Sequence, residues 1–237
     1  MSVVRVWIHF TFRYGHIWVT YCNMRPSTIW LASFPRSGNT YLRTLLRSCF
    51  GVSVASRYDE DYSQFSEKFG EILGQGAPNR FNIVKTHDLP DDDFPAIYIV
   101  RDGRASIVSY FHYCHDFEID RPIEDIIAGN APFGSWSNHY SSWNPRQRPT
   151  TLFLKYEDIV QNPDSAIELL ADFLNERPHD RFTADFSKLH DIDPRFFRSG
   201  NNARNIEELN GLALSLFDSL HSSVMRELGY YDEPPTR

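Results

Sequence analysis

Residues 33–43 read SFPRSGNTYLR, and the organisation of the whole chain follows from them. The apolar run at 28–32, TIWLA, comes directly before this stretch and is typical of a buried parallel strand. A helical repeat of apolar residues follows from Thr40 to Phe50. Between the two, the small residues Ser37 and Gly38 allow backbone N–H groups to converge on an anion at the start of the helix. The stretch therefore predicts a phosphate-binding strand, loop and helix.

This loop differs from the loop of an ordinary nucleotide kinase. A Walker A motif has Lys and then Ser or Thr directly after its last Gly, whereas Asn39 follows Gly38 here. Arg36 supplies a fixed positive charge instead. An ordinary kinase is disfavoured, but a P-loop-like kinase for a small metabolite stays open as an alternative, with Asp102 as the nearby carboxylate that could hold magnesium.

Composition limits the class of protein. A length of 237 residues with 41% hydrophobic and 15% aromatic residues suits one domain with a sizeable core. The net charge of −7 argues against a general nucleic-acid binder. Three irregularly spaced cysteines suggest neither a disulfide framework nor a zinc site, and no run reaches the ~18 apolar residues of a membrane span. We therefore expect a protein of the reducing cytoplasm that binds neither nucleic acid nor membrane.

Residues 1–23 form an N-terminal extension whose status the sequence leaves open. Apolar and polar residues alternate from Val3 to Val19, as in a strand. The segment is either an extra edge strand or sequence upstream of a natural start at Met24, and economy of sequence favours the second. The predicted domain then comprises residues 24–237.

Two further strands end in charged or polar side chains. The run from Phe81 to His87 predicts a strand that delivers Lys85 and His87 at its carboxyl end, where open parallel sheets place their ligands. The run Ala96–Val100 predicts another strand, with Arg101 at its exit and Ser109 two turns into the following helix. Asp102 is the expected N-cap of that helix.

The remaining segments repeat the strand-then-helix order. A strand is predicted at 150–155, and helices are predicted at 122–128, 134–143, 165–174 and 206–228. Repeats of this kind indicate an α/β protein with a P-loop-like, three-layer fold, in which a central parallel sheet is flanked by helices. The aromatic residues of 134–143 are expected in the core, and the three aspartates at 91–93 are expected in a solvated turn.

Taken together, these segments resemble the sulfotransferases that use 3′-phosphoadenosine-5′-phosphosulfate (PAPS). SFPRSGNTY resembles the family's 5′-phosphosulfate loop, VKTHDLP its catalytic-histidine strand, RDGRASIVSY its 3′-phosphate strand and helix, and FFRSGNNAR its later basic loop. GSWSNHYSSW and LFLKYED resemble two more segments in the expected order. The resemblance runs from about 29 to 230. The cytosolic animal enzymes usually have Lys at the position of Arg36 and Trp at that of Tyr41, and the Arg and the short length look more like bacterial small-molecule members.

The resemblance implies a donor site for PAPS, with adenosine 3′,5′-bisphosphate (PAP) as the product. The residues that would hold the 5′-phosphosulfate are Arg36, Ser37, Gly38, Asn39 and Thr40, with Tyr41 beside the adenine. The residues that would hold the 3′-phosphate are Arg101, Ser109, Arg198, Ser199 and Gly200. The residues at catalytic positions are Arg36, Lys85 and His87.

Sulfuryl transfer needs these residue types. Charge spreads over the equatorial oxygens and the leaving phosphate, so cations such as Arg36 and Lys85 stabilise the transition state. A neutral imidazole, with a pKa near ~6.5, is suited to take the proton of a hydroxyl or amine acceptor, which assigns His87 as the general base. No metal is required by this chemistry.

The sequence leaves the acceptor and the oligomeric state open. Acceptor contacts are expected from the loops at 51–79 and 122–133, whose aromatic residues weakly favour a hydrophobic or phenolic small molecule. A nucleotide-binding module without catalysis and a protein-interaction domain are the remaining alternatives, and no dimerisation motif is recognisable.

Overall fold

In the computed structural model, residues 5–12, 15–22, 28–58, 81–182 and 206–232 are described, the first two ranges as backbone strands. Three residues predicted to hold a 3′-phosphate, Arg198, Ser199 and Gly200, lie outside these ranges. None of the described helices is both long enough and apolar enough to cross a membrane.

The centre of the molecule is a five-stranded parallel sheet. Its strands are β3 (Thr28–Ser33), β4 (Ala55–Ser56), β5 (Asn82–Thr86), β6 (Ala96–Val100) and β7 (Thr151–Lys155). Their order across the sheet is β4-β5-β3-β6-β7, and every neighbouring pair is parallel. The predicted α/β class and all four predicted core strands are confirmed, while β4 was not predicted.

Seven helices that lie wholly within the described ranges flank this sheet. They are α1 (Asn39–Phe50), α2 (Gly103–Asp116), α3 (Ile123–Ala128), α4 (Trp136–Trp143), α5 (Tyr156–Gln161), α6 (Pro163–Leu174) and α7 (Gly211–Glu227). One apolar cluster joins the sheet to α2, α3, α4 and α7, and a second joins it to α1, α5 and α6. The sheet is therefore covered on both faces, which explains why β6 is apolar and buried along its whole length. Helix α5 was not predicted, and α7 begins later than expected, after Asn210.

The strand register brings the functional segments to one edge of the sheet. Ala32 of β3 is level with Thr86 of β5, and Ser33 is level with Ile99 of β6. Because all three strands run in the same direction, the loop after β3, the residues after β5 and the turn after β6 leave the sheet side by side. This is the edge at which open parallel sheets bind ligands.

The N-terminal extension forms a hairpin. Strands β1 (Arg5–Phe12) and β2 (Gly15–Cys22) pair in antiparallel fashion as a two-stranded sheet of their own. Among the described residues, neither strand pairs with the central sheet, so the extension is not an extra edge strand of that sheet. The division of the chain at residue 24 stays a prediction.

Two smaller expectations have opposite outcomes. The aromatic residues of α4 are core residues, as expected, since Trp136 and Trp143 are almost completely buried. The turn at 91–93, however, is not simply solvated: Asp92 accepts hydrogen bonds from Trp30 Nε1 at 3.0 Å and from Arg148 Nη2 at 3.5 Å. A carboxylate of this turn thus ties the start of β3 to the segment before β7.

Candidate active site

The loop between β3 and α1 has a backbone that depends on Gly38. Gly38 is the N-cap of α1 with φ of +102°, and a Cβ at this position would lie 2.2 Å from Tyr156 Cδ2. Glycine is therefore required both by the backbone conformation and by the space. Just before it, Ser37 is fully buried, with its Oγ 3.3 Å from Ser106 Oγ of α2. The loop is held in place from two neighbouring helices, α2 and α5.

The side chain of Asn39 contacts the strand that precedes the loop. Its Nδ2 donates to Leu31 O at 3.2 Å and to Ser33 Oγ at 3.3 Å, so the side chain is turned back onto β3. Only its backbone N–H, one of the donors that the first turn of a helix leaves without an intrahelical partner, is then suited to an anion. Thr40 follows it at the half-buried start of α1.

Positive charge is concentrated next to this loop. Arg101 is buried, donates from Nη1 to Arg36 O at 3.1 Å, and lies with its guanidinium 4.8 Å from the centre of the Tyr156 ring. Arg36 donates from Nε to Ser109 Oγ at 3.2 Å. The structure thus places Arg36, which the resemblance assigns to the 5′-phosphosulfate, beside Arg101 and Ser109, which it assigns to the 3′-phosphate.

Asp102 is fully occupied by structural contacts. Its carboxylate caps α2 by accepting from the backbone N of Arg104 at 2.9 Å, and it also pairs with the Arg104 guanidinium at 2.6 Å. Asp102 is therefore unsuited to the magnesium-binding role that the kinase alternative needs.

Lys85 is a buried cation at the end of β5. Its exposed fraction is 8%, and burial, followed by repulsion from Arg43 and Arg36, lowers its pKa to about 7. An anion that binds beside this lysine raises its pKa again, because the opposite charge favours the protonated form.

His87 follows β5 and has a defined tautomer. Its Nδ1 lies 2.6 Å from Ser33 O. A carbonyl oxygen only accepts, so Nδ1 carries the proton and Nε2 keeps its lone pair. Burial and the neighbouring Lys85 hold the pKa of His87 well below its ordinary value. The imidazole is therefore neutral at physiological pH and has the form of a general base.

Two aromatic side chains lie against the His87 ring. Tyr58 stacks on it at 5.9 Å between ring centres, and Phe133 packs at 5.5 Å on a tilted plane. Tyr58 and Phe133 also touch each other edge to face. One comes from each of the two loops in which acceptor contacts were predicted. Sequence reasoning identified the loops but did not identify these two residues.

Tyr41 lies on the other side of the loop, within α1. It makes edge-to-face contacts with Tyr156 and with Phe182, at 6.2 and 5.4 Å between ring centres. Burial raises the pKa of Tyr41 to about 12, so its ring is neutral and aromatic at any working pH. This environment suits the adenine contact that the resemblance implies.

The described residues contain no group of three or more His, Cys, Asp or Glu side chains arranged to hold a metal ion. His112 of α2 contacts Glu208, with Nε2 and Oε2 2.5 Å apart.

Comparison with known proteins places the chain in a family. Residues 26–188 match the sulfotransferase domain model, so the chain belongs to the sulfotransferase domain family. It is 28% identical over 178 residues to sulfotransferase 1 family member D1 of Mus musculus, covering 64% of this chain and 60% of that protein. It is 28% identical over 180 residues to sulfotransferase 1E1 of Homo sapiens, covering 65% and 61%. The chain thus spans about 60% of the length of these relatives.

Solved structures show the same fold. Mouse sulfotransferase SULT7A1 complexed with PAP superposes with a TM-score of 0.66 at 22% identity, covering 87% of this chain and 86% of that one. Retinol dehydratase in complex with androsterone and PAP gives a TM-score of 0.60 at 19% identity, with 89% and 83% coverage. The P-loop-like architecture predicted from the sequence is confirmed.

Proposed function

We propose that this chain is an enzyme that transfers a sulfuryl group from PAPS to a hydroxyl or amine of a small molecule, with His87 as the general base. One observation carries the proposal. A neutral imidazole with its Nε2 lone pair available lies at the same sheet edge as the buried cations Lys85 and Arg101 and the glycine-dependent loop. Membership of the sulfotransferase family and the PAP complexes of fold relatives support it.

The described residues fit a doubly anionic nucleotide. Gly38 has a positive φ and packs too closely on Tyr156 to allow a Cβ, so the loop keeps the tight turn that presents its amides at the start of α1. Arg36 and Arg101 provide permanent charges, whereas Lys85 gains its proton when an anion binds. When bound, PAPS supplies an activated sulfuryl group on a phosphate leaving group.

The residues of the chain then divide the work. Arg36 and Lys85 stabilise charge on the transferring group and the leaving phosphate, and the loop amides orient it. His87 takes the acceptor proton on Nε2, while Ser33 O holds its Nδ1 proton and stabilises the imidazolium that forms. The proton therefore ends on a residue that is already fixed at the sheet edge.

The contacts of His87 favour a flat aromatic acceptor. The rings of Tyr58 and Phe133 lie against the proposed base, so an acceptor that approaches His87 meets aromatic side chains. Stacking of an aromatic ring on such faces is favourable by roughly 0.5–1.5 kcal/mol beyond the area it buries. A phenol fits this description better than a sugar, and a relative described as flavonol sulfotransferase-like, from Flaveria bidentis, agrees with it.

A transfer assay with sulfur-labelled PAPS tests the proposed function. We expect sulfate transfer to a phenol in a panel of phenols, alcohols, sugars and amines, and stabilisation of the protein by PAP without magnesium in a thermal-shift measurement. Stabilisation by ATP and magnesium alone would favour the kinase alternative instead. Stabilisation by PAP with no transfer to any acceptor would indicate a nucleotide-binding module, and no response to either nucleotide would favour an interaction domain.

Proton uptake should accompany PAP binding. At pH 8, Lys85 with a pKa of about 7 is largely neutral, and the bound phosphates restore its charge. We expect the protein to take up roughly 0.5–1 proton per PAP bound at pH 8 and much less at pH 6. Isothermal titration calorimetry in two buffers of different ionisation enthalpy measures this number. Lys85→Met should abolish the uptake at pH 8, and unchanged uptake in that variant would assign the titration to another group.

Arg101 should distinguish a nucleotide with a 3′-phosphate from one without it. Arg101→Ala is expected to weaken PAP binding by ten- to a hundredfold, equivalent to ~1.5–3 kcal/mol, but to change the affinity for adenosine 5′-phosphosulfate little. Arg104→Ala is the matched control, because that guanidinium is occupied by Asp102. Arg198→Ala is expected to behave like Arg101→Ala. Equal losses for both ligands would show that Arg101 does not contact the 3′-phosphate.

A further inference from the structure

His139 is a buried histidine that the reaction scheme above does not use. It lies in α4, is 0% exposed, and packs edge to face on Phe34. Its Nδ1 is 2.9 Å from the Tyr98 hydroxyl of β6, and its Nε2 is 3.0 Å from the main-chain carbonyl of His87. A buried polar side chain costs stability unless it is hydrogen-bonded, and both of its nitrogens are bonded here.

The direction of each hydrogen bond in this chain of groups is fixed. His87 O only accepts, so His139 donates from Nε2, and its Nδ1 must then accept from the Tyr98 hydroxyl. Burial lowers the pKa of His139 to about 3, which keeps the ring neutral and preserves this arrangement over the working pH range. Each of the two hydrogen bonds therefore has one donor and one acceptor: Tyr98 donates to His139, and His139 donates to the carbonyl of His87.

Ser33, Tyr58 and His139 form hydrogen bonds with His87, and of these three residues only Tyr58 belongs to a predicted acceptor loop. The His87 ring is held by Ser33 O, the His87 backbone N donates to the Tyr58 hydroxyl at 2.8 Å, and the His87 carbonyl accepts from His139. Tyr58 is half-buried and lies in a loop from which acceptor contacts are expected. His139 fixes the main chain of His87 from inside the core, whatever acceptor is present.

We propose that His139, oriented by Tyr98, is a positioning residue for the reaction: it holds the carbonyl of His87 so that Nε2 of His87 faces the acceptor. This inference rests on the proposed role of His87 as the base. Because reacting atoms must meet at about 3–3.5 Å, a shift of the base by about 1 Å can cost around a hundredfold in rate. His139 would thus affect turnover without touching substrate.

His221 provides a closely matched control. It is also a buried histidine, 1% exposed, and its Nε2 donates to a main-chain carbonyl, Ile127 O, at 3.0 Å. Its Nδ1 is 2.7 Å from a hydroxyl, Ser137 Oγ. Replacement of either histidine by Leu removes the same two bonds from the core, but only one of the two histidines contacts His87.

The test compares turnover and binding in these variants. His139→Leu is expected to lower kcat by about 10–100-fold and leave the Kd of PAP within about twofold, whereas His221→Leu should keep kcat within about twofold. His139→Gln, whose amide N–H can replace the Nε2 donor, should recover kcat to within about fivefold of wild type. The loss should be greater for an alcohol acceptor of high pKa than for an acidic phenol, because only the former depends strongly on the base.

A double-mutant comparison separates this inference from the proposed function. In a His87→Asn background, His139→Leu should lower kcat by less than about twofold, because the two residues act as a unit. Wild-type turnover in His87→Asn would overturn the role of His87 itself. If His87→Asn loses turnover but His139→Leu and His221→Leu have equal kcat, only the positioning role of His139 is overturned.

Tyr98→Phe keeps the test valid if His139→Leu does not fold. This variant removes one hydroxyl from the core and leaves Nδ1 of His139 without its hydrogen-bond donor. We expect kcat to fall by about 3–10-fold with the Kd of PAP unchanged. Unchanged kcat in a folded Tyr98→Phe protein would show that the orientation of His139 has no part in the reaction.

Discussion

Replacement of His87 by Asn is expected to lower kcat by about 10²–10⁴ while the Kd of PAP stays within about twofold of wild type. The Asn amide can occupy the position of Nδ1 and donate to Ser33 O, which Nδ1 of His87 approaches to 2.6 Å. It has no atom at the position of Nε2. The variant thus keeps the hydrogen bond that holds the residue and removes the lone pair that accepts the proton.

Turnover with acceptors of different pKa and PAP binding by calorimetry check this result. His115→Asn is a suitable control, because that side chain is 79% exposed on α2 and makes no contact with the site. Full turnover of the His87→Asn protein with an alcohol of high pKa would assign the base to another residue.

The pH dependence of the wild-type protein follows from the burial of His87 and Lys85. An ordinary imidazole, with a pKa of about 6.5, would make the rate rise near that pH, but burial and Lys85 lower the pKa of His87 well below that value. The acid limb of kcat/KM for the donor should therefore lie below pH 6.5. A fall is expected above pH 7, where the free protein loses the Lys85 proton. Arg36 stays protonated throughout, so its ionisation does not contribute to the pH–rate profile.

Gly38→Ala should remove nucleotide binding. The added Cβ would lie 2.2 Å from Tyr156 Cδ2 and would be held at φ of +102°, so either the loop or the Tyr156 ring has to move. Overpacking of this kind costs about 1–3 kcal/mol and the backbone strain a further ~1–2 kcal/mol. Displacement of two amide donors from a phosphate would weaken PAP binding by at least about a hundredfold.

Gly51→Ala is the matched control for this prediction. Gly51 ends the same helix, α1, with φ of +64°, but a Cβ at that position would meet nothing within 4 Å. It should lose about 1–2 kcal/mol of unfolding free energy and keep PAP affinity. Denaturant unfolding and calorimetric titration of both variants distinguish the two effects. Equal PAP affinity in Gly38→Ala and wild type would contradict the assignment of the loop to phosphate binding.

Local sequence patterns determined most of the main-chain structure. Strand β6 has the bounds that its apolar run predicted, and Asp102 caps α2 as expected. Both signals are contained in a few consecutive residues. Strand β4 has only two residues and exists because Ala55 pairs with Val84 of β5, so no local pattern could have revealed it. Helix α5, which begins directly after β7, was also missed.

The sequence also determined which chemical groups reach the carboxyl edge of the sheet. Lys85, His87 and Arg101 end or follow apolar strands, and parallel strands bring such residues to one edge. The resemblance to sulfotransferases then explains why a lysine, a histidine and an arginine occur at these positions. Neither the sequence nor the resemblance predicted the orientation of each side chain. The Asn39 amide, for example, donates to Leu31 O and Ser33 Oγ of β3.

Only the tertiary structure decided how the base is surrounded and held. Tyr58, Phe133 and His139 lie 29, 46 and 52 positions from His87 in the chain, and their contacts with it arise from the packing of loops and α4 against the sheet. The same packing lowers the pKa of both Lys85 and His87, because burial penalises the charged form. Residue type and strand ends are encoded locally in the sequence, whereas desolvation and contact geometry depend on residues that are distant in the chain.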